Sequence, residues 1–295
     1  MGALGVDEPR FAGTFLNGNF DRRILERSDA ILNVGLDAKD FFNARWSYAA
    51  PVVAVNAVAD TQRFVPAQHQ VVGDTAEILD ALSTGGELGK SDWTTTDVLD
   101  YRARVEDAFR LAENAFTIPA AIRVARQVLP PETLISVDAG FGKPIASYLW
   151  SAPAPNMYFS AHGLSTMGYA MPAANALQMT APDRPVVAFM GDGSLLMRVA
   201  EMTVAAQQAI APIYVAWLDR SLAQIELKQA RADLRLVGAR LPEVFCGRIA
   251  DAFGGVGADV ETLVESSRQA ARGVGKSSSD SSVGRMTPAG AGLAR

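Results

Sequence analysis

The stretch GDGSLLM at 191–197 sets a carboxylate, Asp192, between two glycines where the apolar run RPVVAFM gives way to helical periodicity. A Gly-Asp-Gly turn by itself requires no more than a helix cap. The chain continues as LLMRVAEMTVAAQQAI, in which Leu195, Leu196, Val199, Met202 and Ala206 are spaced as one stripe of an amphipathic helix, and returns as the apolar PIYVAWL, which ends at Asp219. Strand, crossover helix and strand make a βαβ unit, parallel and right-handed in nearly all cases. Asp192 and Asp219 are therefore predicted at the carboxyl ends of two parallel strands, on the edge where open α/β sheets bind ligands. Two carboxylates placed together repel unless a cation lies between them. Oxygen ligands suit Mg²⁺, which usually keeps phosphate oxygens in its shell, and the N–H groups opening the next helix, near Gly193 and Ser194, offer a site to an anion. The spacing points to a Mg²⁺-diphosphate clamp and leaves open two independent turn aspartates.

The elements that must hold these residues come from a chain of 295 residues, 49% hydrophobic, long enough to bury a core in each of two domains. Its net charge of −5, with bases interspersed among acids, leaves no basic stripe, so nucleic acid is not expected as a partner. No apolar run has the length of a membrane span, and the start MGALGV has neither a secretory pattern nor the Ser or Thr of a myristoylation signal. One cysteine, Cys246, permits no internal disulfide, and a cytoplasmic location is the expectation. In PEVFCGRIA that cysteine reads as a small buried apolar residue. The two histidines, His69 and His162, argue against a multi-histidine metal site, and His162 reads as a loop residue without chemistry.

Along the chain the pattern is α/β throughout. RRILERSDAILNVGLD reads as a helix running into a buried strand, with Asp37 as a turn or cap residue, and APVVAVN reads as a second strand. STGGELGKSDWTTTD, 83–97, breaks the pattern and is the predicted domain boundary. A polar helix is predicted over about 96–114, a helix over 119–129, strands at TLISVDAG and RPVVAFM, and between them a Gly-rich loop and a helix after Pro172. The last part, GKSSSDSSVGRMTPAGAGLAR, is Ser/Gly-rich and aperiodic and is expected to be disordered. These boundaries give domains at 1–83 and 116–265, a linker and helix at 84–115, and a tail at 266–295.

GDGSLLM followed by WLDRSLAQIELKQ resembles the thiamine-diphosphate motif of the acetolactate synthase, benzoylformate decarboxylase and pyruvate decarboxylase superfamily. By position, the resemblance implies Mg²⁺ ligation by Asp192, Asp219 and the carbonyl of Ser221, with Gly191, Gly193 and Ser194 at the diphosphate. This chain has Asp219 where the superfamily usually has Asn, and Leu218 where a second Asn often stands. AHGLSTMGYAMPAANA, 161–176, is similar to the superfamily's Gly-x-x-x-Met-Gly-x-x-x-Pro-Ala-Ala segment. It implies that Met167 props the bent cofactor and that the carbonyl of Ser165 faces the cofactor's amino group. DEPRFAGTFLNGNFDRRILERSDAILNVGLDAKDF resembles the second half of the superfamily's central domain. The implied architecture is parallel sheets flanked by helices, a partial central domain followed by a diphosphate-binding domain.

What the resemblance implies about activity is incomplete. The superfamily's activating glutamate belongs to an amino-terminal pyrimidine domain, which this sequence does not contain, and no glutamate here takes that role by position, so no catalytic residue is assigned. An amino-terminally truncated member is expected. Two readings stay open: a part of a 2-oxo acid carboligase or decarboxylase, working as a homo-oligomer or with a separate pyrimidine-domain subunit, or a non-catalytic remnant that binds cofactor or partner subunits.

Overall fold

Parallel strands dominate both halves of the chain. The computed structural model describes residues 4–36, 45–59, 65–85, 91–110, 116–260 and 282–286. Contacts divide it into two units, one of Ala12–Val105 with His162–Leu164 and one of Met1–Phe11, Glu106–Ala161 and Ser165–Arg295. The division falls at Val105, beyond the Gly/Ser-rich stretch where the break was expected. The helix that follows that stretch explains this: it buries Val98 and Val105, and its Tyr101 hydroxyl reaches Asp21 at 3.4 Å within the first unit.

The first unit holds α1 (Asn19–Leu25), β1 (Ile31–Val34), β2 (Val52–Asn56), β3 (His69–Val72), α2 (Thr75–Thr84) and most of α3 (Thr95–Ala108). The strands form a parallel sheet in the order β1-β2-β3, registered Ile31 to Val52 and Val53 to His69. Central β2 is buried, as the sequence predicts. β1 is not: Leu32 and Val34 are 53% and 41% exposed, because the two-residue strand period gives the inner face to Ile31 and Asn33. Asp74 caps α2 by accepting from the N–H groups of Ala76 and Glu77, and Thr94 and Asp97 cap the start of α3 reciprocally. Asp37 lies outside the described residues.

In the second unit the order is α4 (Ile118–Val128), β4 (Leu134–Val137), α5 (Gly142–Leu149), β5 (Tyr158–Ser160), α6 (Ala170–Thr180), β6 (Val186–Gly191), α7 (Asp192–Arg198), α8 (Met202–Gln207), β7 (Ile213–Trp217), α9 (Ala223–Arg231), α10 (Cys246–Ala252), β8 (Val256–Val260) and β9 (Ser282–Met286). The sheet runs β5-β4-β6-β7-β9-β8, with every pair parallel. β4 and β6 read as continuous apolar runs because a parallel sheet covered by helices buries both strand faces. Ile122, Ile135, Phe189, Leu195, Met202 and Tyr214 are almost fully enclosed. Each contributes roughly 1.5–3 kcal/mol of burial. Cys246 lies fully buried on α10, so its thiol in the folded protein is expected to resist a water-soluble disulfide reagent and to react on unfolding. Prompt labelling of the folded chain would refute this placement.

Two expectations are corrected. The single crossover helix is broken: α7 ends at Arg198, Val199–Glu201 form one 3-10 turn, and α8 restarts at Met202. Arg198 leaves helical geometry (φ −133°, ψ 17°), and its aliphatic stem lies against Gly168, where a Cβ would meet its Cγ at 2.5 Å. The break turns the predicted stripe, so Leu195 and Met202 are buried while Leu196 and Ala206 face outward. The tail is corrected at 282–286, which forms β9 between β7 and β8. Among the described residues, no helix is long and apolar enough to cross a membrane.

The strand order has a functional consequence. From β4 the chain moves outward to β5, then crosses back to lay β6 on the other side of β4 and proceeds to β7. Connections thus leave β4 and β6 in opposite directions, and the carboxyl ends of these two strands flank a topological switch point, where open α/β sheets bind their ligands.

Candidate functional site

β6 runs to Gly191 and α7 begins at Asp192 with no intervening loop; Gly191, extended at φ −86° and ψ 167°, is the cap. Register pairs Gly191 with Trp217, so Asp192 comes level with the first residues beyond β7. Asp192 is 2% exposed, and its two carboxylate oxygens are used in different directions. Oδ1 accepts from the N–H of Gly193 at 2.8 Å, and Oδ2 from the N–H of Arg220 at 2.7 Å. The carboxylate therefore ties the end of β6 to the turn that follows β7. Burial raises its proton affinity above the usual carboxylate range, while the N–H donors of Arg220 and Gly193 oppose the rise.

That turn is pinned from several sides. Arg220 is left-handed at φ +59°, and Asp219 Oδ1 accepts from the N–H of Ser221 at 3.1 Å. The segment pairs antiparallel with 239–241 through Leu222 N–H to Ala239 carbonyl (2.7 Å) and Leu241 N–H to Arg220 carbonyl (2.9 Å). Both bonds flank Ser221, so this pairing does not engage the Ser221 carbonyl. An ion pair between Arg240 and Glu226 closes the arrangement. The Ser221 side chain is buried, and its Oγ has no hydrogen-bond partner among the described residues. Asp219 is exposed as a residue, yet its carboxyl is pushed up to about 6, first by lost hydration and next by the charge of Asp192. Because Asp192 accepts from Arg220 and Asp219 from Ser221, the two aspartates border one turn.

The loop between β5 and α6 supplies the third component. Gly168 takes φ +82°, a conformation that suits glycine, and there the stem of Arg198 occupies the space of a side chain. Met167 reaches across to α7: a Cβ on Gly193 would lie 3.0 Å from the Met167 methyl and 2.7 Å from Leu222 Cδ2. Ser165 is left-handed at φ +48°, with its Oγ 3.5 Å from the ammonium of Lys143 on α5, which also donates to the Ala161 carbonyl. His162 is exposed.

Sequence reasoning missed Asp138, which closes β4. It is 2% exposed and accepts from four donors. Its Oδ1 takes the N–H groups of Ala139 (2.8 Å) and Gly168 (2.9 Å) and the Ser194 hydroxyl (2.8 Å); its Oδ2 takes the N–H of Ala170 (2.9 Å). Ser194 is consequently turned toward β4, with its hydroxyl proton committed to a carboxylate. A signal existed: SVDAG, MGDG and WLD each close an apolar strand with an aspartate. Lys143 was missed as well, and nothing in its local sequence marks it.

The family profile described as thiamine pyrophosphate enzyme, C-terminal TPP binding domain, matches residues 138–280. Residues 138–280 are thereby similar to the C-terminal TPP-binding domain of thiamine pyrophosphate enzymes. The match begins at Asp138 and includes the Met167 loop and both strand-end aspartates. The chain is 28% identical over 275 residues to the catabolic acetolactate synthase of Raoultella terrigena, covering 88% of this chain and 49% of that protein. It is 25% identical over 243 residues to a probable 2-ketoarginine decarboxylase of Pseudomonas aeruginosa, covering 80% of this chain and 43% of that one. The crystal structure of benzoylformate decarboxylase from Polynucleobacter necessarius shares the fold at a TM-score of 0.68 and 18% identity, over 90% of this chain and 50% of that one. The chain thus spans about half the length of these relatives.

Proposed function

We propose that this chain binds thiamine diphosphate together with Mg²⁺ and furnishes the diphosphate-binding half of a carboligase or decarboxylase acting on 2-oxo acids. The observation that carries the reading is that Asp192 and Asp219 follow the adjacent parallel strands β6 and β7 and border one turn, tied by the Arg220 N–H on Asp192 Oδ2, with the Met167 methyl packed against Gly193. The residues in place fit the group. Asp192, Asp219 and the Ser221 carbonyl form an all-oxygen donor set of the kind Mg²⁺ takes, and the buried Ser221 Oγ without a partner is a further polar atom beside them. Gly193 lets Leu222 and the Met167 methyl approach the backbone of this turn, where a Cβ would collide with them.

When bound, thiamine diphosphate would supply a nucleophilic thiazolium carbon and an electron sink for the breaking of a bond next to a 2-oxo group. The protein's part is binding and orientation. Asp192 and Asp219 would hold the cation, and the main chain of Gly191, Gly193 and Ser194 would face the diphosphate. Met167 would support the cofactor's ring, and the Ser165 carbonyl would accept from the pyrimidine's amino group. A pyrimidine domain with its activating glutamate would complete the site, and a separate pyrimidine-domain subunit or a homo-oligomer is the partner this reading calls for.

Calorimetric titration of the chain with thiamine diphosphate tests this reading. Heat of binding is expected with Mg²⁺ present and is expected to vanish with a chelator. Absence of binding at millimolar cofactor with Mg²⁺ would sink it.

A further inference from the structure

We infer that Asp138 is a positioning residue that sets the Met167 loop against the Asp192–Ser194 turn; the inference rests on the thiamine diphosphate reading above. A buried carboxylate is costly unless its lone pairs are satisfied, and among the described residues Asp138 has no basic side chain to neutralise it. What satisfies it is informative. Apart from its neighbour Ala139, its donors come from two segments only, the loop immediately after Met167 and the hydroxyl two residues after Asp192.

Those segments are far apart in sequence and come together only because β4 lies beside β6. The N–H groups of Gly168 and Ala170 bracket Tyr169 and fix the backbone leaving Met167; the Ser194 hydroxyl fixes the first turn of α7. The contact between the Met167 methyl and Gly193 is the product of both constraints. Diphosphate and metal need only the Asp192 side of this arrangement. A whole cofactor, held at its diphosphate and supported at its ring, needs the spacing between the two sides, and Asp138 sets that spacing.

The carboxylate is required in its acceptor-only form. Asparagine at 138 presents an NH₂ to one side, where it meets either the N–H of Ala170 or those of Ala139 and Gly168, and the bond to that segment is lost. The test compares two ligands on the full chain, thiamine diphosphate and inorganic pyrophosphate, each with Mg²⁺. In Asp138→Asn the first is expected to weaken roughly tenfold to a hundredfold and the second by less than about threefold, since a tenfold change corresponds to one lost interaction of ordinary strength. Ser194→Ala removes only the hydroxyl from the network and leaves three N–H bonds in place, so it is expected to fold and to show the same selective loss at smaller amplitude. In the double variant the losses are expected to be less than additive, because both act through one carboxylate. Equal weakening of both ligands in Ser194→Ala and Asp138→Asn, or a lowered melting temperature with the affinity ratio unchanged, would show Asp138 to be a structural cap and overturn the inference. Failure of the unmodified chain to bind either ligand is a different result, and it counts against the cofactor reading itself.

Discussion

In the Asp192→Ala chain, Mg²⁺-dependent affinity for thiamine diphosphate is expected to fall by a hundredfold or more, about 3 kcal/mol, since the loss includes a charged ligand in a buried setting. The expectation follows from where the carboxylate is. It is 2% exposed and stands at the switch-point edge, and its charge is felt by Asp219. Alanine removes the proposed ligand, and it also releases the N–H groups of Gly193 and Arg220, so the turn carrying Asp219 loses its tie to β6. A stability loss of roughly 1–3 kcal/mol is therefore expected beside the binding loss. Asp192→Asn separates the two effects. Its amide oxygen still accepts from Gly193, which preserves more of the fold, while the neutral group is a poorer partner for a divalent cation. Binding lost in both variants, with the asparagine chain melting near the unmodified one, would assign the effect to the metal. Undiminished, Mg²⁺-dependent cofactor binding by Asp192→Ala would eliminate the clamp.

The parts of this site that the sequence made legible are those encoded within one supersecondary unit. RPVVAFM, GDG, a helical stretch and PIYVAWL follow one another directly, and the handedness of βαβ connections then places Asp192 and Asp219 on one edge; β6 and β7 are indeed adjacent and parallel. Asp138 was hidden because its meaning depends on which strand lies beside β4. Periodicity reports that a segment is a strand and says nothing of its neighbours in the sheet. The same limit hid β9, since SVGRM within a Ser/Gly-rich segment has no apolar run to announce it and becomes a strand by lying between β7 and β8. The break at Arg198 was illegible for a related reason. Helical spacing continues through it, and what competes is a tertiary contact, the Arg198 stem on Gly168. Thr94 and Asp97 are the opposite case, a reciprocal cap made by residues within one four-residue stretch.

Replacing Asp219 by asparagine is expected to stabilise the metal-free chain near neutral pH and to diminish what Mg²⁺ adds. In the folded chain the Asp219 carboxyl is pushed up to about 6, by lost hydration first and by the Asp192 charge second, with Glu226 contributing. In the unfolded chain it returns to roughly 4. Below the lower value both states are protonated and the group contributes nothing. Between the two, the folded state still holds a proton that the unfolded state has released, so stability falls as pH rises through this window, and above about 6 the whole cost is present. Asparagine has no proton to release and keeps an oxygen for the Ser221 N–H. The gain in melting temperature of Asp219→Asn over the unmodified chain should therefore be largest at ~pH 7.5 and shrink toward ~pH 4. Mg²⁺ reverses the ranking: placed between two carboxylates it removes their repulsion, so it should raise the melting temperature of the unmodified chain by more than that of the variant. Melting curves at several pH values, with Mg²⁺ and with a chelator, read all four corners of this comparison. A variant whose advantage is the same at both pH values would mean that the Asp219 carboxyl is not raised in the folded chain, and equal stabilisation of both chains by Mg²⁺ would mean that the charge of Asp219 adds nothing to metal binding.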